Sequence, residues 1–165
     1  MNSQVVGRLM STGAALFLAL GSAGCATGMA GSTGGGANSA SKTIHSTPDV
    51  YPAIGPYSQI VQAGRTYYIS GVLPLNKAGT AMAGTTIEEQ TRAVLDHIGV
   101  KLRSQGMTYD NVVMSHVYMK DLNEFAAMNK VYGEYFKTQA PARATVEVAR
   151  VPRDAKIEIA VIAHK

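Results

Sequence analysis

The feature that most constrains the fold is an alternation of apolar and polar residues across residues 141–164. A period of two predicts strands whose successive side chains point to opposite faces of a sheet. The first strand covers residues 141–149 and the second 156–164, with a turn at 152–154 between them. One face of the first strand carries Arg143, Thr145 and Glu147. On the second strand the odd-numbered residues are apolar and Glu158 projects from the other face.

Arg143 and Glu158 are the side chains of this region that could carry chemistry. If the two strands are neighbours, we expect both side chains to leave the same side of the sheet. A guanidinium group binds carboxylates through two parallel hydrogen bonds, and a carboxylate can orient a water molecule or transfer a proton. Two interpretations stay open from these residues alone, a binding and catalytic pair or a structural ion pair.

The first forty residues differ in composition from the rest of the chain. They contain nine of the seventeen glycines, a single charged residue, Arg8, and no acidic residue. Residues 1–25 have the three parts of an export signal: Arg8, an apolar segment at 14–20 and small residues at 21–24. The apolar segment is too short to span a bilayer. We therefore expect an exported, periplasmic protein.

Cys25, the sole cysteine, follows Ser22-Ala23-Gly24. This arrangement resembles a bacterial lipobox, although Ser22 stands where leucine is usual. The pattern predicts cleavage before Cys25 and lipidation of that residue, so that contact with the membrane occurs only through the lipid anchor. Plain secretion or an uncleaved start are the alternatives. A single cysteine also leaves no partner for a disulfide within the chain.

Residues 26–41 are rich in Gly, Ser, Thr and Ala and show no hydrophobic period, which predicts a flexible tether before a folded domain at 42–165. Apart from Arg8, the chain has 14 basic and 11 acidic residues, a net charge of +3. Because these charges form no Lys/Arg run, a nucleic-acid partner is not indicated. The four histidines lack metal-ligand spacing, so no metal site is expected.

The order predicted for the domain is β-β-α-β-α-β-β, and residues 42–45 are a further candidate for an edge strand. Two helices can cover one face of such a sheet, which makes the class α+β. The strand predicted at 111–120 is apolar on both sides. Since the chain has no third layer, the second face needs another subunit as its cover.

Several motifs in this order resemble the RidA (YjgF-like) family of enamine/imine deaminases. They are Ala53-Ile54-Gly55-Pro56-Tyr57-Ser58-Gln59, Ile69-Ser70-Gly71, Asp121-Leu122-Asn123-Glu124-Phe125, Asn129, and the segment 141–159. The resemblance implies a chorismate-mutase-like fold and a homotrimer with clefts between subunits. It also implies hydrolysis of 2-aminoacrylate and similar imines to 2-keto acids and ammonia, without metal or cofactor.

The resemblance also assigns roles to individual residues. Arg143 holds the substrate carboxylate, Glu158 handles the water, and Tyr57 lines the cleft as the third candidate catalytic residue. The implied substrate-binding residues are Arg143, Thr145, Ser70, Gly71 and Asn129, although Asn129 could instead bond the backbone. Thr145 replaces a cysteine that many members carry, which excludes thiol chemistry there, and Ala160 replaces a second glutamate.

Two other functions stay open at this point. The same cleft could retain a small 2-keto acid without turnover, which requires only Arg143. The domain could also be an interaction module of the cell envelope, which requires neither Arg143 nor Glu158.

Overall fold

A computed structural model of the chain describes residues 41–165. The predicted export signal, the lipidation site Cys25 and the tether through residue 40 lie outside the described residues. Among residues 41–165, no helix has both the length and the apolar character that crossing a membrane requires.

Six strands and two helices build the domain. The strands are β1 (Lys42–His45), β2 (Ile60–Ala63), β3 (Thr66–Val72), β4 (Val112–Met119), β5 (Ala142–Glu147) and β6 (Ile157–His164), and the helices are α1 (Ile87–Ser104) and α2 (Phe125–Tyr135). The strands form one sheet in the order β1-β2-β3-β6-β4-β5. Only β4 and β5 are parallel, so the sheet is mixed. The prediction of an α+β fold with two helices on one face is confirmed, with β1 as the edge strand before the predicted order.

The sequence predicted that the last two strands are neighbours in the sheet. This prediction is wrong, because β4 lies between β5 and β6. A parallel pair needs a crossover connection, and α2 supplies it between β4 and β5. Tyr118 of β4 pairs with both Val146 and Glu158. Glu158 therefore shares a face with Val146, whereas Arg143, three positions before Val146 on the same strand, points to the opposite face. The predicted common side for Arg143 and Glu158 is thus contradicted.

Residues at both ends of helix α1 explain where the helix begins and ends. The Thr86 hydroxyl accepts a hydrogen bond from the Glu89 amide and the Glu89 carboxylate reaches back to the Thr86 amide, so two of the unpaired donors at the helix start are satisfied. The chain turns away just after the helix at Gly106, which adopts a φ of +68°. A side chain would strain the backbone there, so glycine ends the helix.

The hydrophobic core lies between the helices and one face of the sheet. From β6 it includes the alternate residues Ile157, Ile159 and Val161, none of them more than 1% exposed. From α1 it includes one apolar face of the helix, formed by Ile87, Val94, Leu95, Ile98 and Leu102. Phe125 is 38% exposed, because it lies at the start of α2 beside the edge strand β5.

The other face of the sheet carries apolar side chains that the described residues leave uncovered. Ile44, Tyr68, Tyr118 and Val146 lie between 36% and 50% exposed. Strand pairing aligns Ile44, Val61, Tyr68 and Ile162 in one row across four strands. Large apolar areas of this kind usually mark interaction surfaces. A further subunit that covers this face therefore stays a prediction.

Candidate active site

Arg143 lies on the helix side of the edge strand β5. Its guanidinium carbon is 4.6 Å from the ring centre of Tyr132 and 5.7 Å from that of Phe125, both on α2. Within residues 41–165, no acidic group lies at ion-pair distance from Arg143. The side chain borders a cavity of about 480 Å³ together with Leu122, Phe125 and Thr145. An arginine placed this way keeps its N–H donors available for an anionic ligand.

Asn129 and Thr145 accompany Arg143 in different ways. Asn129 lies on the same stripe of α2 as Phe125 and Tyr132, four residues after one and three before the other, so the three side chains are neighbours. Thr145 lines the cavity, but its hydroxyl is buried and has no hydrogen-bond partner among the described residues. What Thr145 offers a ligand is therefore its backbone and methyl group.

Glu158 borders a second cavity, of about 460 Å³, on the opposite face of the sheet. Its other walls are Ile54, Tyr57, Ser70, Gly71, Leu73 and Pro152. The site residues Tyr57, Ser70 and Gly71 are therefore brought together with Glu158. Because the walls are mostly apolar, a small organic molecule is a better match to this cavity than a highly charged one.

Gly71 allows the Glu158 carboxylate to lie directly against the backbone of β3. A Cβ atom at residue 71 would lie 1.7 Å from Oε1 of Glu158 and 2.8 Å from Cδ. The pairing of β3 with β6 shifts its register between Ile69 and Val72, so Ser70 and Gly71 lie in an irregularity of the ladder. Irregularities of this type redirect side chains beside functional sites. The absence of a side chain at residue 71 therefore sets the position of the carboxylate.

The loop that carries Tyr57 is held by one hydrogen bond to the sheet and by one within the loop itself. The Ser70 hydroxyl donates to the Ser58 carbonyl at 2.6 Å. The Tyr57 hydroxyl accepts a hydrogen bond from the Ile54 amide at 3.2 Å. Ser70 thus positions the loop, and Tyr57 closes one side of the cavity with its 40%-exposed ring.

Glu158 has no ion-pair partner among the described residues. Partial burial raises the pKa of its carboxyl group above the ordinary value for glutamate. A raised pKa brings a carboxyl group closer to neutral pH, where it can both accept and donate a proton. The electrostatics of this cavity therefore match a general acid–base.

The predicted site residues form two groups rather than one. Arg143, Thr145 and Asn129 lie on the helix side of the sheet, and Tyr57, Ser70, Gly71 and Glu158 lie at the cavity on the other side. A structural ion pair between Arg143 and Glu158 within one chain is excluded by this separation. Sequence reasoning missed Tyr132 and Phe125 as neighbours of Arg143, because an aromatic helix stripe predicts core packing and shows no sign of a nearby cation. In the described part of the chain, no cluster of three or more His, Cys, Asp or Glu residues could hold a metal ion.

A scan of protein families matches residues 48–165 to the model described as endoribonuclease L-PSP. The chain belongs to this family. The RidA (YjgF-like) proteins, which the sequence motifs resemble, are part of it. The matched residues include every one of the two groups around Arg143 and Glu158.

Relatives and solved structures of this RidA-type protein agree with that assignment. A RutC family protein of Saccharolobus solfataricus is 47% identical over 124 residues, which cover 75% of this chain and 98% of the relative. The 2-iminobutanoate/2-iminopropanoate deaminase of Capra hircus is 40% identical over 122 residues, covering 74% and 89%. The crystal structure of the YjgF gene product from E. coli matches with a TM-score of 0.70 at 36% identity, covering 74% and 98%. The RidA-type, chorismate-mutase-like fold is thereby confirmed.

Proposed function

We propose that this RidA-family protein is a hydrolytic deaminase that converts reactive enamines and imines of the 2-aminoacrylate type into 2-keto acids and ammonia. The observation that carries the proposal is the pair of unpartnered groups, the Arg143 guanidinium and the half-buried Glu158 carboxyl group. A pure carboxylate binder needs only the first of these. Relatives of 38–40% identity that are named 2-iminobutanoate/2-iminopropanoate deaminases support the same reaction.

The proposed site requires more than one chain. Arg143 and Glu158 of the same chain lie on opposite faces of the sheet, so one substrate cannot contact both. Arg143 lies on the edge strand β5, where a neighbouring subunit can place its own Glu158 cavity alongside. The uncovered apolar face of the sheet supplies the surface for such contacts. We therefore propose a homotrimer with its clefts between subunits.

The proposed mechanism assigns one task to each group. The Arg143 fork binds the carboxylate of the substrate and places the adjacent C=N carbon in the cleft. An enamine first gains a proton at its carbon and loses one from its nitrogen, so that it becomes an imine. Glu158 then takes a proton from water as the water oxygen bonds to the C=N carbon, and it returns that proton to the nitrogen. The C–N bond then breaks as the proton of the new hydroxyl group is transferred through Glu158 to the nitrogen, so that ammonia leaves and the 2-keto acid remains.

Three substitutions test this reaction, with 2-aminoacrylate generated in situ and keto-acid release as the measurement. Arg143→Ala removes charge-assisted hydrogen bonds of about 3 kcal/mol, so we expect kcat/KM to fall about 10²-fold. Arg143→Lys restores little, because an ammonium group cannot form the bidentate contact. Glu158→Gln keeps the shape of the side chain, so the variant should still bind keto acid. The activity that it loses should appear mainly as a lower kcat.

Arg92 provides the matched control for loss of an arginine. It forms an exposed ion pair with Glu134 at 2.7 Å, on α1 and α2 away from both cavities. Arg92→Ala should therefore leave kcat/KM unchanged. Full deaminase activity in folded Arg143→Ala protein contradicts the proposed site. Keto-acid binding by the wild-type protein without turnover would instead identify a binding module.

The proposed assembly has its own measurement. The purified protein should sediment as a trimer, because the uncovered face of the sheet and the divided site both require neighbours. A monodisperse monomer at micromolar concentration would contradict the trimer and the cleft between subunits together.

A further inference from the structure

Arg143 lies at one end of a column of aromatic rings that runs from the sheet edge to helix α1. Its guanidinium group lies 4.6 Å from the ring centre of Tyr132. Tyr132 stacks on Phe136, with ring centres 4.5 Å apart and planes at 28°. Phe136 meets Tyr109 edge to face at 5.4 Å and 82°. The Tyr109 hydroxyl donates to the Leu95 carbonyl of α1 at 2.6 Å, which anchors the far end of the column.

Aromatic rings, rather than a carboxylate, lie against the Arg143 guanidinium group in the described part of the chain. Among residues 41–165, no acidic side chain forms an ion pair with Arg143. A cation over the face of an aromatic ring is attracted by the electrons of the ring, and this attraction occupies no carboxylate. The N–H groups of the guanidinium group therefore have no competing anionic partner among the described residues. An arginine fixed by an internal carboxylate would first have to release that partner before it could bind a substrate.

The ring of Tyr132, rather than its hydroxyl group, provides this support. Among residues 41–165, neither the buried Tyr132 hydroxyl nor the buried Ser115 hydroxyl has a hydrogen bond of good geometry, although the two groups are close enough to interact. Burial is the main effect that raises the pKa of Tyr132, and nearby Ser115 and Arg143 lower it in part. Because the Tyr132 hydroxyl has only a poorly aligned contact with Ser115, its removal should cost much less than removal of the ring. Loss of the ring and loss of the hydroxyl group should therefore have different effects.

We propose that Tyr132 is a positioning residue, whose ring fixes the Arg143 guanidinium group in the orientation that receives the substrate carboxylate. This inference rests on the proposed function, because it assumes that Arg143 binds the carboxylate of the substrate. It adds a determinant of substrate affinity that does not touch the substrate. The aromatic column would confine the fork to one plane, so that the carboxylate meets two donors that are already aligned.

Tyr132→Leu and Tyr132→Phe separate the two parts of the side chain. Tyr132→Leu removes the ring, and we expect KM to rise about tenfold, with kcat changed less than about twofold. Binding of pyruvate, measured by calorimetry, should weaken by a similar factor. Tyr132→Phe keeps the ring and should restore the wild-type KM. A purely structural role for Tyr132 would lower thermal stability in the leucine variant without this division between KM and kcat.

Tyr135→Leu is the matched control, because Tyr135 lies on the same helix and contacts Tyr109 at the far end of the column rather than Arg143. It should lose stability and keep its KM. If Tyr132→Leu does not fold, Phe125→Leu tests the same idea at the second ring, which is 38% exposed, with a smaller rise in KM expected. A folded Tyr132→Leu protein with the wild-type KM, or a Phe variant as impaired as the Leu variant, would overturn the proposal.

The same measurements separate this inference from the proposed function. If Arg143→Ala itself leaves pyruvate binding and KM unchanged, the assignment of Arg143 as the carboxylate ligand is wrong, and the inference about Tyr132 with it. If Arg143→Ala weakens both while the ring-deleting variants do not, the proposed function stands and only the positioning role of Tyr132 is refuted.

Discussion

Substitution of Gly71 by alanine is the most direct test of how the Glu158 carboxyl group is placed. The new methyl carbon would lie 1.7 Å from Oε1 of Glu158, 2.8 Å from Cδ and 3.2 Å from Cγ. Contacts below 3.0 Å are not tolerated, so the carboxylate oxygen must move by roughly 1.3 Å or more. Gly71 does not have the positive φ that would strain alanine. The substitution therefore acts on the Glu158 side chain and hardly on the backbone.

The expected loss follows from that displacement. A catalytic group misplaced by about 1 Å can lower a rate by about 10²-fold, which corresponds to about 2.7 kcal/mol in the barrier. We expect kcat/KM of Gly71→Ala to fall by that factor. The clash involves the end of a flexible side chain, so the free energy of unfolding should change by less than about 1 kcal/mol. Activity and stability should thus respond very differently.

The assay compares initial rates of keto-acid release with urea denaturation of the same preparations. Gly133→Ala is the matched control, because a Cβ at Gly133 meets no atom within 4 Å. As an alanine in helix α2, it should stabilise the protein by about 0.5–1 kcal/mol and leave the rate unchanged. The double variant Gly71→Ala, Glu158→Gln should be little slower than Glu158→Gln alone, because both changes act through the same carboxyl group.

Two results would refute this reasoning. One is a folded Gly71→Ala protein with the wild-type kcat/KM, which would mean that the position of the carboxyl group is not important for the reaction. The other is a double variant whose losses multiply in full, which would mean that Gly71 acts independently of Glu158.

Three further predictions concern other parts of the chain. Lys101 of α1 is 2% exposed, and burial lowers its pKa to about 8. Between about pH 8 and about pH 10.4 the unfolded chain therefore binds more protons at this lysine than the folded protein does. The free energy of unfolding should rise with pH through this window. Lys101→Met should raise the free energy of unfolding at pH 7 by up to about 3 kcal/mol, and by less at pH 10. Equal increases at the two pH values would contradict a buried charge on Lys101. Thr86→Ala removes the cap of α1 and should cost about 1 kcal/mol in urea denaturation, whereas no change would show that the cap is dispensable. Wild-type protein should incorporate labelled palmitate and fractionate with membranes while Cys25→Ala does neither, and equal labelling would reject lipidation.

Much of the local structure could be predicted from the sequence, because it depends on residues close together in the chain. The capping box of α1, its buried face and its end at Gly106 depend on contacts within one or two helical turns. The alternation at 141–149 and 156–164 predicted two strands and the residues that share a face within each strand. The alternation and the chemistry of the side chains also made Arg143 and Glu158 candidates, whereas Tyr57 and the Ser70-Gly71 pair became candidates only through resemblance to the family.

The order of the strands was decided only by the tertiary structure. Alternation relates side chains within one strand, but it says nothing about which strand lies alongside or which faces correspond. Because β4 lies between β5 and β6, Arg143 and Glu158 lie on opposite faces of the sheet. This follows from Tyr118 of β4, which pairs with Val146 of β5 and with Glu158 of β6. The register shift in β3 brought Gly71 against Glu158, and the packing of α2 placed Tyr132 beneath Arg143. These contacts join residues 11 to 87 positions apart, where no local pattern in the sequence links them.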